Sequence, residues 1–268
     1  MLTTKIAALA VGLNLAASLA TADTFILVHG AFQDGASWAG VARGLTAAGH
    51  TAIAVTLPGH GDGKPAGKVT MADYVATVEA AMDGAKGPVV LVGHSFGGMV
   101  ISAVAEAEPS KIASLIYVAA YLPRVGTLPG DSMQDLAMSD HHGAWQQDSF
   151  VVAADYSTAS VNSRDRAAIF ANDADAATAK VITSTMVDEP LAPLATPVAL
   201  TVERYGSVRA AYVVTLRDAA VSTDLQLTMI GRGLVQETVP LDTGHVPQIT
   251  ASDALVKALI RAATPEVE

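Results

Sequence analysis

The chain has 268 residues, of which 51% are apolar, so it is long enough to bury a large core in one domain. Its net charge of −10 disfavours nucleic acid as a partner, because a phosphate backbone would be repelled. There is no cysteine, which excludes disulfides, thiol catalysis and zinc–thiolate sites.

The N-terminal segment has the pattern of a secretory signal peptide. A single cation, Lys5, precedes an apolar stretch from Ile6 to Ala20, and an A-x-A cleavage site ends at Ala22. The stretch is shorter than the roughly 20 residues that a membrane span requires, and an uncleaved anchor is the alternative. We therefore predict a signal peptide over residues 1–22 and a mature domain over residues 23–268. The mature protein should be periplasmic or secreted, without stable membrane insertion after cleavage.

From residue 23 onward, short apolar runs rich in β-formers alternate with alanine-rich amphipathic segments. This alternation predicts a mostly parallel, doubly wound sheet with helices on both faces. Ser37 and Thr70 are the candidate N-caps of the first two helices. In this first part of the chain, strands are predicted at residues 24–29, 51–56, 89–92 and 112–119, and helices at residues 37–48, 70–85 and 99–107.

The alternation breaks between Pro123 and Gly206. This part holds several helix-like pieces but no clear buried strand, and it carries most of the remaining aromatic residues. We predict a helical cap inserted into the sheet domain and lying over Ser95; an ordinary helical excursion is the alternative. The alternation then resumes, with strands predicted at residues 210–216 and 235–239 and helices at residues 223–231 and 252–263.

The sequence Gly93-His94-Ser95-Phe96-Gly97 matches the pattern G-x-S-x-G and stands between a predicted strand and a predicted helix. A serine in this position occupies a sharp turn that lifts its hydroxyl clear of the backbone, with little room for side chains at the flanking glycines. The following helix directs free N–H groups and a partial positive charge at the same point. Ser95 is therefore the candidate nucleophile, and the N–H of Phe96 is a candidate oxyanion donor. A Gly-rich turn that only packs is the alternative.

A serine hydroxyl needs a base to become a nucleophile, and the base is usually histidine. Among the seven histidines, His245 follows the last predicted strand and should therefore reach the same edge of the sheet as Ser95. His141 and His142 lie on a polar stretch of the cap, which favours a surface position. We therefore predict His245 as the general base.

The base in turn needs an acid that orients it, and three aspartates are candidates. Asp218 directly follows the predicted strand at residues 210–216 and is the leading candidate. Asp242 lies in the same loop as the base, where it would have to fold back, and it ranks second. Asp224 ranks last, because it is expected to cap the next helix.

A second oxyanion donor should come from the loop after the first strand. Gly30 allows this backbone to turn toward the site, and the N–H of Ala31 or that of Phe32 would face the nucleophile. His29, at the end of the same strand, is expected to have a structural role. His94 precedes the nucleophile and should point away from it.

These motifs together resemble a branch of the α/β-hydrolases that includes plant methylesterases, salicylate-binding esterases, hydroxynitrile lyases and many bacterial esterases. The resemblance covers nearly the whole mature chain. It is carried by FILVHGAF at residues 25–32, AGH at 48–50, LPGHG at 57–61, VGHSFGG at 92–98, ERYG at 203–206, TLRD at 215–218 and GH at 244–245. It implies an α/β-hydrolase fold with the catalytic acid at Asp218 and the catalytic histidine at His245.

Two positions separate the ester hydrolases of this branch from its lyases. The lyases carry a threonine that binds the substrate hydroxyl where this chain has Gly30, and a lysine that stabilises departing cyanide where it has Val246. Both differences favour ester hydrolysis. Gly30, Val246 and the cap residue Trp145 are the candidate substrate-binding residues.

We therefore expect an exported serine hydrolase that cleaves small, largely apolar carboxylic esters through an acyl-enzyme. The chemistry requires neither a metal nor an organic cofactor. The expected partner is a small-molecule ester, and the sequence leaves a homodimer open. The alternatives are a lyase of the hydroxynitrile type on the same triad and a non-catalytic protein that binds a small ligand.

Overall fold

The computed structural model describes residues 22–61, 63–126, 144–146 and 148–264. The main sheet contains six strands, which are β1 (Thr24–Val28), β2 (Thr51–Val55), β3 (Val89–His94), β4 (Ile112–Val118), β8 (Ala210–Thr215) and β9 (Glu237–Leu241). Every neighbouring pair is parallel, in the order β2-β1-β3-β4-β8-β9. No helix in the described ranges is both long and apolar enough to cross a membrane.

Helices pack on both faces of this sheet. They are α1 (Ala39–Ala47), α2 (Met71–Met82), α3 (Gly97–Ala107), α7 (Thr223–Arg232), α8 (Pro247–Thr250) and α9 (Ser252–Ala263). Side chains of β1 alternate between the faces: Phe25 and Leu27 lie in the core with α1 and α9, whereas Ile26 and Val28 lie in the core with α2, α3 and α7. The predicted doubly wound parallel sheet is confirmed.

The register of the sheet brings several strand ends to one edge. Val28 at the end of β1 is paired with Gly93, and His94 at the end of β3 is paired with Val118. Val118 is in turn paired with Val213 on β8. Because the strands are parallel, the loops that follow β1, β3, β8 and β9 all open at this carboxyl edge.

The cap predicted over residues 123–206 leaves the sheet after β4 and returns at β8. Its described part contains the strands β5 (Phe150–Val152), β6 (Thr158–Val161) and β7 (Glu189–Pro190) and the helices α4 (Arg166–Phe170), α5 (Ala176–Ser184) and α6 (Leu191–Leu194). The three strands form an antiparallel sheet in the order β5-β6-β7. The predicted helical cap therefore also contains a small sheet, which the sequence did not indicate, because strands of two to four residues show no period that a sequence pattern could reveal.

Two helix starts show how local hydrogen bonds set the boundaries. Thr70 caps α2 as predicted, since its hydroxyl accepts the N–H of Asp73 while the Asp73 carboxylate accepts the N–H of Thr70. The first helix differs from the prediction. It begins at Ala39, after a short 3-10 helix that Asp34 caps, and the hydroxyl of Ser37 donates to the Asp34 carbonyl instead of capping α1.

Some predictions fall outside the described residues. The predicted signal peptide lies outside them except for its last residue, Ala22. The same holds for His141, His142 and the end of the polar tail at residues 265–268.

Candidate active site

Ser95 lies at the tip of the turn between β3 and α3. Its φ is +51°, in the left-handed region that a non-glycine residue rarely adopts. The surrounding backbone holds this conformation, because the N–H of Ser95 donates to the carbonyl of Val118 at 3.1 Å and its own carbonyl accepts the N–H of Tyr121 at 3.0 Å. A Cβ added to Gly93 or to Gly97 would lie 2.6 Å and 2.7 Å, respectively, from backbone oxygens, so the turn needs both glycines.

Three side chains from three different loops form a hydrogen-bonded chain at the carboxyl edge of the sheet. Oγ of Ser95 lies 3.1 Å from Nε2 of His245, and Nδ1 of His245 lies 2.9 Å from Oδ2 of Asp218. All three side chains are buried. Ser95 follows β3, Asp218 follows β8 and His245 follows β9, so the fold joins residues that are distant in the chain.

The carboxylate of Asp218 is held by four further donors. Oδ1 accepts the backbone N–H groups of Ala220 and Val221, each at 2.8 Å. Oδ2 accepts the hydroxyl of Thr215 at 2.9 Å and the side-chain amide of Gln226 at 3.2 Å. Because the carboxylate acts as an acceptor throughout, the histidine carries its hydrogen on Nδ1. Its Nε2 then presents a lone pair to the serine hydroxyl, which is the tautomer that a general base needs.

The other two acid candidates point away from this chain of side chains. Asp242 is exposed, and its carboxylate lies 2.9 Å from Nε of Arg217. Asp224 is exposed in the first turn of α7, and it is not the cap of that helix as predicted. The helix begins at Thr223, two residues earlier than that prediction requires, so the cap is Ser222, whose hydroxyl accepts the N–H of Leu225.

His94 points away from Ser95, as expected, and contacts the backbone of His245. Its Nε2 donates to the carbonyl of His245 at 2.7 Å, and its Nδ1 accepts the side-chain amide of Gln248 at 3.2 Å. Burial first, and the neighbouring His245 second, lower the pKa of His94 well below its usual value. The ring is therefore neutral, and it fixes the backbone that carries His245.

The cap holds the two loops that carry His245 and Asp218. The carboxylate of Asp173 accepts the N–H of Gly244 at 2.6 Å, next to the base. The side-chain amide of Asn172 donates to the carbonyl of Arg217 at 2.7 Å, next to the acid. These two adjacent cap residues therefore fix the distance between the two loops.

The candidate oxyanion donors differ in whether their N–H groups are engaged. Neither the N–H of Phe96 nor that of Ala31 donates to an acceptor within the described part of the chain. The N–H of Phe32, in contrast, donates to the carboxylate of Glu189 at 3.1 Å. The prediction that Phe32 can supply the second donor is therefore corrected, because a buried carboxylate already occupies its N–H. Of the two alternatives, Ala31 remains.

The predicted substrate-binding residues lie around the serine and the acid. A Cβ added to Gly30 would lie 2.7 Å from Cβ of Ser95, so the backbone at position 30 directly faces the nucleophile. Val246 is fully buried beside the base. Trp145 is partly buried, and its indole N–H donates to the carbonyl of Ala220 at 3.0 Å, in the loop that holds the acid.

Aromatic side chains form one wall next to the base. The ring of Phe170 contacts the ring of His245 at a centroid distance of 5.5 Å and that of Phe32 at 6.1 Å. Trp145 contacts Phe170 at 5.8 Å, and Phe150 contacts Phe32 at 6.3 Å. Because three of these rings come from the cap, docking of the cap places an apolar surface beside His245.

Several residues that build the site are not found by reading the sequence. Gln226 is fully buried on a helix face whose other buried residues are apolar. A polar residue at such a position is the sequence signal that could have identified it. Asn172, Asp173 and Glu189 lie in the cap, and no motif or period marks them. Their roles depend on contacts with loops that are distant in the chain.

The family model described as the alpha/beta hydrolase family matches residues 25–258. The chain belongs to the alpha/beta hydrolase family. This match covers the cap and all six strands of the main sheet, except for Thr24, the first residue of β1. It includes Ser95, Asp218 and His245.

The relatives lie in the branch that the sequence motifs indicate. Methylesterase 7 of Arabidopsis thaliana is 28% identical over 264 residues, covering 89% of this chain and 95% of the relative. Esterase PIR7B of Oryza sativa subsp. japonica is 30% identical over 224 residues, covering 77% and 82%. The crystal structure of a pyrethroid hydrolase from Sphingobium faniae JZ-2 matches with a TM-score of 0.77 at 25% identity, covering 91% of this chain and 98% of that one.

Proposed function

We propose that this alpha/beta hydrolase cleaves small carboxylic esters through Ser95, with His245 as general base and Asp218 as the acid that orients it. The esterase class rests on the relatives, which are named as a methylesterase, an esterase and a pyrethroid hydrolase. The residue roles rest on one observation above all. The serine, the histidine and the aspartate form a buried chain of hydrogen bonds at 3.1 Å and 2.9 Å.

In the first half of the reaction, Oγ of Ser95 attacks the ester carbonyl while Nε2 of His245 takes the hydroxyl proton. Asp218 stabilises the imidazolium that forms. The N–H groups of Phe96 and Ala31 then donate to the negative oxygen of the tetrahedral intermediate, and one such donor contributes about 3 kcal/mol to lowering the barrier. Collapse of the intermediate expels the alcohol, which takes its proton from the imidazolium, and leaves an acyl-enzyme.

In the second half, the same groups act on water. His245 takes a proton from a water molecule, and the resulting hydroxide attacks the acyl carbonyl. A second tetrahedral intermediate uses the same two N–H donors. Its collapse releases the carboxylic acid and returns the proton to Ser95, so the enzyme is regenerated.

Two features support ester hydrolysis over the lyase alternative. The lyases of this branch carry a threonine where this chain has Gly30. With the backbone as it stands, the Cβ of a side chain at position 30 would lie only 2.7 Å from Cβ of Ser95, so the site has no room for that threonine. They also carry a lysine where this chain has the buried, uncharged Val246. The aromatic wall around Phe170 supports a small, largely apolar ester as the substrate.

The deciding experiment compares hydrolysis of p-nitrophenyl acetate by the wild-type protein and by Ser95→Ala. We expect a loss of about 10⁶-fold in kcat, down to the background rate. The exposed residue Ser184 provides the matched control, and Ser184→Ala should keep the wild-type rate. Equal rates for the wild type and Ser95→Ala would overturn the proposal.

The same preparations test the two other functions. Release of cyanide from mandelonitrile, without ester hydrolysis, would favour a lyase. Tight binding of a small acid by the wild type, without turnover of any ester in a panel of graded acyl and alcohol size, would favour a ligand-binding protein.

The location of the protein is a further part of the proposal. We propose export with cleavage after Ala22, supported by the signal-like pattern and by the start of β1 at Thr24, directly beyond the cleavage position. Fractionation of a bacterial host followed by N-terminal sequencing should find a chain that begins at Asp23 in the periplasm or the medium. A cytoplasmic chain that keeps residues 1–22 would contradict export.

A further inference from the structure

Glu189 is a fully buried carboxylate that β7 of the cap carries to the boundary with the sheet domain. Three groups of the sheet domain donate to it. Oε2 accepts the N–H of Phe32 at 3.1 Å and Nε2 of His60 at 2.7 Å, and Oε1 accepts the hydroxyl of Tyr74 at 2.9 Å. A buried charge persists only when it is paired and hydrogen-bonded, and this one has both kinds of partner.

His60 supplies the opposite charge. Its Nδ1 lies 3.1 Å from the carbonyl of Leu57 and its Nε2 faces the carboxylate of Glu189, so both nitrogens face acceptors. A neutral ring has one N–H only, so two acceptors require the doubly protonated ring. Burial alone would lower the pKa of His60, but the hydrogen bond and the charge of Glu189 raise it above its usual value.

His29 packs against this pair and is neutral, in the structural position that the sequence predicts. Its ring centroid lies 4.7 Å from that of His60. Its Nε2 accepts the N–H of Leu57 at 3.0 Å, and its Nδ1 donates to the carbonyl of Gly30 at 2.8 Å. Burial first, and the charge of His60 second, lower the pKa of His29 to about 3. The cluster therefore contains one cation and one anion, and Glu189 is the anion.

The backbone of Phe32 is held by this carboxylate. The φ of Phe32 is +64°, a left-handed conformation that a non-glycine residue keeps only when its surroundings impose it. The cap contacts both sides of the residue, because Glu189 accepts its N–H and its carbonyl accepts the N–H of Val187 at 3.0 Å. Two residues of the cap, Val187 and Glu189, therefore hold the backbone of Phe32 on both sides.

We propose that Glu189 is a positioning residue for catalysis. By accepting the N–H of Phe32, it holds the loop of residues 30–32 so that the N–H of Ala31 is directed at the oxyanion that forms on the substrate of Ser95. The inference rests on the proposed function, since it concerns one donor of that oxyanion hole. Because Glu189 belongs to the cap, the hole is complete only when the cap is docked on the sheet domain.

The first test compares two substitutions of similar size. Glu189→Gln keeps an oxygen that can accept the N–H of Phe32, whereas Glu189→Met removes the acceptor. Both remove the negative charge. We expect Glu189→Gln to keep kcat for p-nitrophenyl acetate within about threefold of the wild type, and Glu189→Met to lose at least about tenfold in kcat with KM changed less than about threefold.

A second readout separates positioning from a general loss of structure. A trifluoromethyl ketone forms a hemiketal oxyanion with Ser95, so its inhibition constant reports the oxyanion hole and does not depend on the fraction of active protein. This constant should rise in Glu189→Met by about the factor by which kcat falls. An unchanged inhibition constant beside a lower kcat would mean that only the amount of folded enzyme had changed, and would overturn the inference.

Two further variants complete the experiment. Tyr74→Phe removes another donor to the same carboxylate but leaves the bond to Phe32, so it should lower the melting temperature and keep kcat. Val187→Pro removes the N–H that holds the Phe32 carbonyl at a partly exposed position, and it should lower kcat severalfold. If Glu189→Met does not fold, Glu189→Asp takes its place, because the shorter side chain withdraws the acceptor from the N–H of Phe32 and keeps the charge beside His60. A wild-type kcat and inhibition constant in that variant overturn the inference.

The outcome also distinguishes this inference from the proposed function. If Ser95→Ala keeps full activity, the proposed function fails and the oxyanion hole with it. If Ser95→Ala is inactive while folded Glu189→Met has the wild-type kcat and inhibition constant, the proposed function stands and only the role of Glu189 is refuted.

Discussion

Substitution of Asp218 by asparagine should reverse the tautomer of His245. In the wild type, Oδ1 of Asp218 accepts two backbone N–H groups, from Ala220 and Val221. Only the oxygen of an asparagine can face these two donors, so its NH₂ group must take the place of Oδ2. That group then donates to Nδ1 of His245 and moves the ring hydrogen to Nε2, where it faces Ser95 and leaves no lone pair to accept the hydroxyl proton.

The size of the effect follows from this reversal. Loss of the correct tautomer of a triad histidine, with the geometry otherwise kept, lowers kcat by about 10⁴-fold, which corresponds to about 5.5 kcal/mol of transition-state stabilisation. The new NH₂ group also meets the side-chain amide of Gln226, a donor that lies 3.2 Å from Oδ2 in the wild type. Two facing donors leave a buried polar group unsatisfied, so the free energy of unfolding should fall by about 1–3 kcal/mol.

The assay is the initial rate of p-nitrophenyl acetate hydrolysis by Asp218→Asn, with urea denaturation to measure stability. Asp242→Asn is the matched control, because Asp242 is exposed and pairs only with an exposed arginine among the described residues. We expect Asp242→Asn to stay within about twofold of the wild-type kcat. A kcat within tenfold of the wild type for folded Asp218→Asn would refute the tautomer argument, and an inactive Asp242→Asn would refute the assignment of the acid.

Three further predictions concern groups around the site. Gly30→Ala should lower kcat more than tenfold, because its Cβ would lie 2.7 Å from Cβ of Ser95; a kcat within twofold of the wild type would show that the nucleophile has room to move. Gln226→Met removes the side-chain oxygen that accepts the N–H of Thr215, the last residue of β8, and leaves this buried N–H unpaired; it should lower the free energy of unfolding by about 1–3 kcal/mol, and an unchanged urea midpoint would contradict this. The pKa of His29 is lowered to about 3 in the folded protein. Below about pH 6.5 the unfolded chain therefore binds a proton at this histidine and the folded chain does not, so the free energy of unfolding falls as the pH falls. The stability advantage of the wild type over His29→Asn should therefore shrink by about 2 kcal/mol between pH 7 and pH 5, whereas a difference independent of pH would contradict the neutral ring.

Much of the sheet domain could be predicted because its signals are local. A strand such as β3 is an uninterrupted apolar run, and its helix follows within a few residues, so period and spacing were enough to identify both. The cap could not be predicted in this way. Its strands β5 and β7 have three and two residues, and their pairing with β6 depends on contacts that local propensity does not encode.

Helix boundaries were likewise predictable only where local contacts set them. The capping box of Thr70 was predictable because both partners lie within three residues of each other. The start of α1 was not, because Asp34 caps a 3-10 helix that precedes it and moves the α-helix to a later residue. A cap can be read from the sequence only when the helix start is already known.

The sequence by itself indicated the sharp turn at Ser95, because the pattern G-x-S-x-G stands between a strand signal and a helix signal. Gly93 is required by the backbone of Gly97 within the turn, whereas Gly97 is required by the carbonyls of Val28 and His29, which only the fold brings close. The sequence also determined the order of the strands along the chain, and with it which loops reach the carboxyl edge. Only the tertiary structure showed that Asp218, and not Asp242, contacts His245, because the direction of a loop side chain depends on the donors that meet it. It likewise decided that the N–H of Phe32 is occupied, by a carboxylate 157 residues away in the chain. Hydrogen bonds between distant segments leave no period or spacing in the sequence, and they become visible only when the fold brings the donor to its acceptor.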